Sequence, residues 1–236
     1  DGSAGTTGLR IAERLAGRAD LHVTALPEEP RKDAAARAAA LNAADVAILC
    51  LPDAAAREAA EWIDDPDTVV LDTSTAHRTA PGWAYGFPEL SAAHAQAVRT
   101  AKRIAVPGCH ASGFIALTAP LAAAGIIPAG TQLSCFSLTG YSGGGKSMIG
   151  QYTAQPRPEG LHAPRQYALG QTHKHLPEMA AQSGLPAPLF CPVVGDYYSG
   201  MQVTVPLSAA QCAPGTTPEV IAEVYRAAYP GPVVTY

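Results

Sequence analysis

The sequence predicts an α/β protein in which a doubly wound parallel sheet is followed by an α+β unit with a mixed sheet. Three observations carry this. Short runs that are wholly or mainly apolar (Val46 to Leu51, Val69 to Asp72) alternate with Ala-rich helical stretches in the first part of the chain, the pattern of strands buried on both faces. A glycine-rich turn, Gly2-Ser-Ala-Gly5-Thr-Thr-Gly8, leads into the first helix. Beyond residue 108 the strand-like segments lengthen and the helices between them thin out. The expected division is a nucleotide-binding unit over residues 1–108 and a catalytic and substrate unit over 109–236.

The elements follow in order. Leu9 to Leu15 reads as a helix ended by Gly17, Leu21 to Leu26 as a strand, and Asp33 to Ala43 as a helix. The strand Val46 to Leu51, the helix Ala54 to Ile63 and the strand Val69 to Asp72 continue the alternation. A polar helix (Ser91 to Thr100) leads to the strand Ile104 to Val106, the turn Pro107-Gly108 and a helix over Ala111 to Ala123. Gln132 to Leu138 alternates like a half-exposed strand, followed by a second glycine-rich loop, Gly143 to Gly145, and strands at Val193 and Met201 to Leu207. The chain opens inside its first glycine turn and stops at Val233 to Tyr236, which reads as the start of a strand. Such a turn normally hangs from a preceding strand, so the expectation is a fragment short of both ends.

Composition narrows the function classes. The chain has 236 residues, 47% of them hydrophobic and 15% charged, with a net charge of −4. No basic stripe suits nucleic acid, no polybasic run suits a membrane surface, and the apolar runs break well before the ~20 residues that span a bilayer. Five widely spaced cysteines without a C-x-x-C argue for a reducing, cytoplasmic setting and against a disulfide framework or a metal site.

Cys109 is the candidate around which the chemistry gathers. It stands at or just before a helix N-terminus, where unpaired N–H groups and the macrodipole favour a thiolate. Such a thiolate can attack an acyl carbon, and the same N–H groups can stabilise the resulting oxyanion. The bland reading is a small buried hydrophobe. In Tyr167-Ala-Leu-Gly-Gln-Thr-His-Lys-His-Leu-Pro-Glu178, a helix beginning at Thr172 or His173 brings Glu178 within reach of His173, so that the carboxylate orients an acid/base imidazole. Gly2, Gly5 and Gly8 suit a pyrophosphate at a helix N-terminus. Glu28 and Glu29 could meet a ribose hydroxyl, but Arg31 and Lys32 suit a 2′-phosphate and favour NADP(H). The run Asp72-Thr-Ser-Thr-Ala-His-Arg78 offers hydroxyls and an Arg at a strand end, a combination fit for phosphate or carboxylate.

Six motifs occur here in the order seen in the N-acetyl-γ-glutamyl-phosphate reductases. They are the first glycine turn, Asp72 to Arg78, Tyr85-Gly-Phe-Pro-Glu89, Pro107-Gly-Cys-His110, Gly140-Tyr-Ser-Gly-Gly-Gly-Lys146 and His173-Lys-His-Leu-Pro-Glu178. The chain resembles the shorter branch of that arginine-biosynthesis family. The resemblance implies a Rossmann-like sheet with a semialdehyde-dehydrogenase-like (glyceraldehyde-phosphate-dehydrogenase-like) catalytic unit. It implies an NADPH-dependent reductive dephosphorylation of an acyl phosphate, with inorganic phosphate released, in a cytoplasmic homo-oligomer (dimer or tetramer). On the same footing Cys109 forms the thioacyl-enzyme and His173, oriented by Glu178, moves protons. Gly2, Gly5, Thr6, Thr7 and Gly8 line the pyrophosphate, and Ser74, Gly143 and Gly144 lie towards the nicotinamide. Arg78, His110, Arg165 and Lys174 face the substrate. Three rivals stay open: a sister reductase for another acyl phosphate, a Cys-His-Glu hydrolase, and a non-catalytic nucleotide-binding module.

Overall fold

The computed structural model describes residues 1–236, apart from the side chains of Thr6 and Leu9. Four short strands form the first sheet: β1 (Val46–Leu49), β2 (Val69–Asp72), β3 (Ala84–Tyr85) and β4 (Arg103–Ala105). All are parallel, in the order β1-β2-β4-β3. Helices α1 (Thr6–Leu15), α2 (Ala34–Asn42), α3 (Asp53–Glu61) and α4 (Ala92–Thr100) accompany them. The small core beside this sheet is Leu41, Ala47, Leu49, Ala59, Ile63 and Val70, as the apolar strands predict.

Cap chemistry sets the helix starts. Asp33 accepts from the backbone N–H of Ala36 at 2.7 Å and Ser91 from that of His94 at 3.2 Å, each at an N-cap. Asp1 lies along the free edge of β1, its amino group donating to the Ile48 carbonyl at 2.7 Å and its carbonyl accepting from Cys50 at 2.9 Å.

The segment Leu21 to Leu26 forms no strand, contrary to expectation. A strand exists only through a neighbour's hydrogen bonds. Asp1 occupies the edge of β1, no described strand lies beyond it, and Leu21 and Val23 remain about half exposed.

The second sheet is mixed, in the order β6-β7-β5-β8. It comprises β5 (Ser134–Gly140), β6 (Arg165–Gln166), β7 (Leu189–Gly195) and β8 (Met201–Thr204). Strands β5 and β7 run parallel, while β6 and β8 are antiparallel to their neighbours. Helix α5 (Cys109–Ala123) is apolar on nearly every side, so it is buried rather than amphipathic. Its Phe114 and Ile115 are fully buried with Phe190 of β7 and Met179 of α7 (Leu176–Ser183). Each such side chain contributes roughly 1.5–3 kcal/mol of transfer free energy. Pro120 inside α5 has no N–H for the Ala116 carbonyl, and Tyr229, just past α8 (Pro218–Ala228), supplies its hydroxyl there at 2.8 Å. Among the described residues no helix is long and apolar enough to cross a membrane.

The second glycine run is helical rather than an open loop. Tyr141–Gly144 forms a 3-10 turn that passes into α6 (Gly145–Thr153), with Gly145 at φ +69°. The helix expected from Thr172 or His173 begins only at Leu176. Pro177 decides this: in a helix reaching back to His173 its ring would clash with the His173 carbonyl, whereas the second helical position tolerates it.

Candidate active site

Strand β4 ends at Ala105, and Val106 to Gly108 carry the chain from the carboxyl end of this interior strand into α5. Cys109 is therefore the first residue of a 15-residue helix, at the carboxyl end of a parallel sheet where ligand crevices form. The residue is exposed, so the bland reading of a sealed hydrophobe fails. Its thiol pKa is nonetheless raised. Desolvation by the surrounding groups is the largest cause, outweighing the backbone N–H groups of Cys109 and His110 and the Arg78 guanidinium, which pull the other way. The helix terminus acts in the expected direction without producing a resting thiolate. The two facts are compatible: the residue is open to a reagent on one side, while its other neighbours displace much of its hydration.

Gly108 is glycine because of space, not φ. A Cβ there would run into Arg78 Nη1 and lie 2.6 Å from His175 Nε2 and 2.8 Å from Glu178 Oε2. Those three side chains converge beside the residue that precedes Cys109. Glu178 is 2% exposed. Its Oε1 accepts from the Gly108 N–H and from the Tyr85 hydroxyl, each at 2.7 Å, and its Oε2 accepts from Arg78 at 3.1 Å. The expected pairing of Glu178 with His173 is not made. With the helix starting at Leu176, Glu178 turns into the protein while His173 stays in the preceding loop.

His173 is half-buried, with its Nδ1 accepting from the His175 backbone N–H at 3.2 Å. That contact places the ring proton on Nε2 and leaves an N–H donor free to meet a ligand. Burial first, then Lys174, lowers its pKa, so the ring is neutral at pH 7. His175 is buried; burial, with Arg78 and the neighbouring histidines adding, pushes it down to about 2. Its Nδ1 has no hydrogen-bond partner.

Two of the residues expected at the substrate are engaged within the protein. His110, also buried, has both ring nitrogens engaged, Nδ1 with Ser137 Oγ at 2.6 Å and Nε2 with the Tyr167 hydroxyl at 2.7 Å. Burial, then His173, lowers its pKa to about 4. It braces α5 against β5 and the segment just past β6. Arg78 is buried as well, donating to the carbonyls of Val106 and Thr73, both at 2.9 Å, besides Glu178. Its planar fork ties β2 to the start of α5.

Arg165 on β6 lies over the Tyr152 ring, 5.6 Å from its centroid, and its buried Nε lacks a partner. Lys174 is exposed and lines a cavity of about 140 Å³ with Asp53, Arg57, Thr75, Arg78 and Glu178.

The cofactor candidates divide similarly. Gly2 has φ +80°, and a Cβ there would collide with the Cys50 carbonyl. The turn passes flat beneath the end of β1, leaving the first N–H groups of α1 without a side-chain cap. That is a bare cradle of the kind a pyrophosphate occupies, and Gly5, Thr7 and Gly8 belong to it. The side chain of Thr6 lies outside the described residues. Ser74 turns inward: its hydroxyl donates to Asp72 at 2.7 Å, and the same carboxylate holds His77 Nδ1 at 2.6 Å. Arg31 and Lys32 are taken up by Glu28 and Glu29, at 3.0 and 3.7 Å. Gly143 and Gly144 close the turn ahead of α6, and the Tyr141 and Ser142 N–H groups before them bond the carbonyls of Tyr197 and Tyr198. No cluster of metal-ligating residues occurs among the described residues.

Sequence reasoning missed Tyr85, His175, Tyr167 and Ser137. The first three lie in or beside motifs already singled out, but their partners are distant in sequence and no local pattern announces them.

Comparison with known proteins agrees with this geometry. Residues 3–98 match the NAD-binding domain model of semialdehyde dehydrogenases, and residues 109–235 match their dimerisation domain model. An N-acetyl-gamma-glutamyl-phosphate reductase from Rhizobium etli is 47% identical over 234 residues, 98% of this chain and 76% of the relative. One from Burkholderia lata is 47% identical over 224 residues, 93% of this chain and 70% of the relative. Among solved structures, aspartate semialdehyde dehydrogenase from Francisella tularensis aligns with TM-score 0.65 at 11% identity, covering 96% of this chain and 79% of the other. The Candida albicans enzyme with NADP aligns at 0.62 and 13%, covering 94% and 74%. At those identities the structural likeness speaks for the fold alone. With both domain models matched in order and close to half of the residues shared with named reductases, the chain belongs to the semialdehyde dehydrogenase family, among its N-acetyl-gamma-glutamyl-phosphate reductases.

Proposed function

We propose that this chain reduces N-acetyl-γ-glutamyl phosphate, the compound in the names of its relatives, to N-acetylglutamate semialdehyde with release of phosphate. The observation that carries the reading is an exposed cysteine at the first position of a long buried helix, with a neutral histidine cluster beside it. The Cys109 thiol attacks the acyl carbon; a C–S bond forms, the C–O bond to phosphate breaks, and the departing phosphate carries away the thiol proton. The N–H groups of the first turn of α5 face the place where negative charge develops on the carbonyl oxygen. His173 offers its Nε2–H to that oxygen and afterwards to the aldehyde oxygen. When the carbonyl re-forms, the C–S bond breaks and the sulfur takes a proton from solvent.

The cofactor is a nicotinamide dinucleotide, which supplies the hydride that reduces the thioester. Gly2, Gly5, Thr7 and Gly8 would hold its pyrophosphate. Arg31 and Lys32 favour NADP(H) over NAD(H), although a 2′-phosphate must draw them from Glu28 and Glu29. In this reading residues 1–108 hold the cofactor and 109–236 the chemistry. Arg165 and Lys174 are the cations left to receive the substrate's carboxylate or phosphate. Phe136 and Leu189 stand exposed on one face of the second sheet, a surface suited to a second copy of the chain.

The test runs the reaction backwards. With the semialdehyde and NADP, NADPH formation beyond one turnover should require inorganic phosphate. Phosphate-independent turnover, or none with any nicotinamide, contradicts the reading.

A further inference from the structure

Tyr85 and Glu178 have no role in the chemistry as proposed, yet they are among the most thoroughly engaged buried polar groups in the molecule. Tyr85 lies on β3 at the edge of the first sheet and Arg78 follows β2, while Glu178 belongs to the first turn of α7 behind α5. Their bonds therefore cross from the sheet that faces the cofactor to the helix that bears the nucleophile. All three groups are buried, Tyr85 at 6%, Arg78 at 8% and Glu178 at 2% exposure.

Building on the proposed function, we propose that Tyr85, Arg78 and Glu178 form a positioning clasp on Gly108. The clasp fixes where Cys109 stands relative to the first sheet. Four features support it. The Gly108 N–H is taken by Glu178, at 2.7 Å, while the N–H groups of Cys109 and His110 bear on the sulfur itself. Glu178 has both oxygens occupied and cannot swing towards His173 without abandoning three donors. The absent Cβ of Gly108 is the space in which Arg78, His175 and Glu178 meet. Finally, a carboxylate and a guanidinium set side by side hold the local charge near balance, so that neither dominates the sulfur.

The titratable and charged groups facing this end of α5 are Arg78, Tyr85, Tyr167, His173, His175 and Glu178. At the sulfur Arg78 favours the thiolate and Glu178 opposes it. Removing the Glu178 charge must therefore make the thiol more acidic.

The experiment measures the pH dependence of Cys109 alkylation by iodoacetamide, read by peptide mass spectrometry, beside steady-state kinetics. Glu178→Gln should move the alkylation profile down by about 0.5–1 pH unit. Glu178→Asp keeps the charge but shortens the reach; its profile should stay in place while kcat falls. Tyr85→Phe, which keeps the buried ring, should lower kcat about tenfold with KM for both substrates within about twofold, as expected for a misplaced reacting group. It tests the clasp even where Glu178→Gln does not fold. A Tyr85→Phe enzyme with wild-type kcat, or a Glu178→Gln profile coincident with wild type, overturns the proposal. An inactive wild-type protein would count against the reductase reading, while the alkylation profiles would still report on the clasp.

Discussion

Two helix N-termini stand at strand ends of this molecule, and they are furnished in opposite ways. The start of α1 is bare: glycines, no side-chain cap, and a positive φ that lets the backbone lie against the end of β1. The start of α5 is crowded, with Gly108 held by a buried carboxylate and the surrounding histidines packed edge to face, His173 at 4.8 Å from His175 and 5.5 Å from His110. A pyrophosphate needs only N–H groups and room, so the first terminus is built by leaving side chains out. A covalent step needs one sulfur at one place, so the second is built by fixing every neighbour. Substitutions at the two termini should fail differently.

The largest effect belongs to Cys109→Ser. A hydroxyl in that position is a far poorer nucleophile, and turnover should fall by at least about a thousandfold with cofactor affinity unchanged, as measured by NADPH fluorescence titration. Gly108→Ala comes next. Its methyl must displace Arg78, His175 or Glu178, and a loss of about a hundredfold in kcat is expected with the cofactor KM preserved. Gly2→Ala should do the reverse, raising the cofactor KM about tenfold or more while Cys109 alkylation proceeds at the wild-type rate. If both glycine variants damage the same parameter, the contrast between the termini is wrong.

A smaller effect is a pH dependence of stability confined to the α5 end. His110 and His175 are buried with pKa values lowered to about 4 and about 2 by desolvation first. A histidine depressed in the folded state binds fewer protons there than in the unfolded chain, so stability is lost as pH falls below the unfolded value near 6.5. At pH 5 each contributes up to about 2 kcal/mol of destabilisation relative to pH 8. Urea midpoints should drop over that range, and less so in His110→Phe. The smallest effect is expected from Lys32→Ala: its ion pair with Glu29 is exposed and 3.7 Å long, so stability should move by under about 0.5 kcal/mol and only NADP affinity should respond.

The contrast also explains what could be read in the sequence. The parallel sheet was legible because runs such as Val46 to Leu51 are apolar throughout, and the glycine turn because bare backbone requires glycine. Cys109 was legible because Pro107-Gly108 breaks a strand just before an apolar helix. The wall around it was not. Local spacing suggested a Glu178–His173 pair, whereas the partners of Glu178 lie 70, 93 and 100 residues away in the chain. Pro177 carried the missing hint, since it forbids the helix that the shorter pairing required. Leu21 to Leu26 failed for the complementary reason: strand propensity describes a side-chain pattern, and pairing depends on a neighbour the pattern does not contain.

The central claim is that Cys109 carries the acyl group, and one measurement tests it most directly. Semialdehyde and NADP mixed without phosphate should give a burst of NADPH equal to the concentration of active sites and then stop. The Cys109 peptide should carry one N-acetylglutamyl group, and turnover should resume when phosphate is added. Sustained NADPH formation without phosphate, or an adduct on any other residue, would contradict the account.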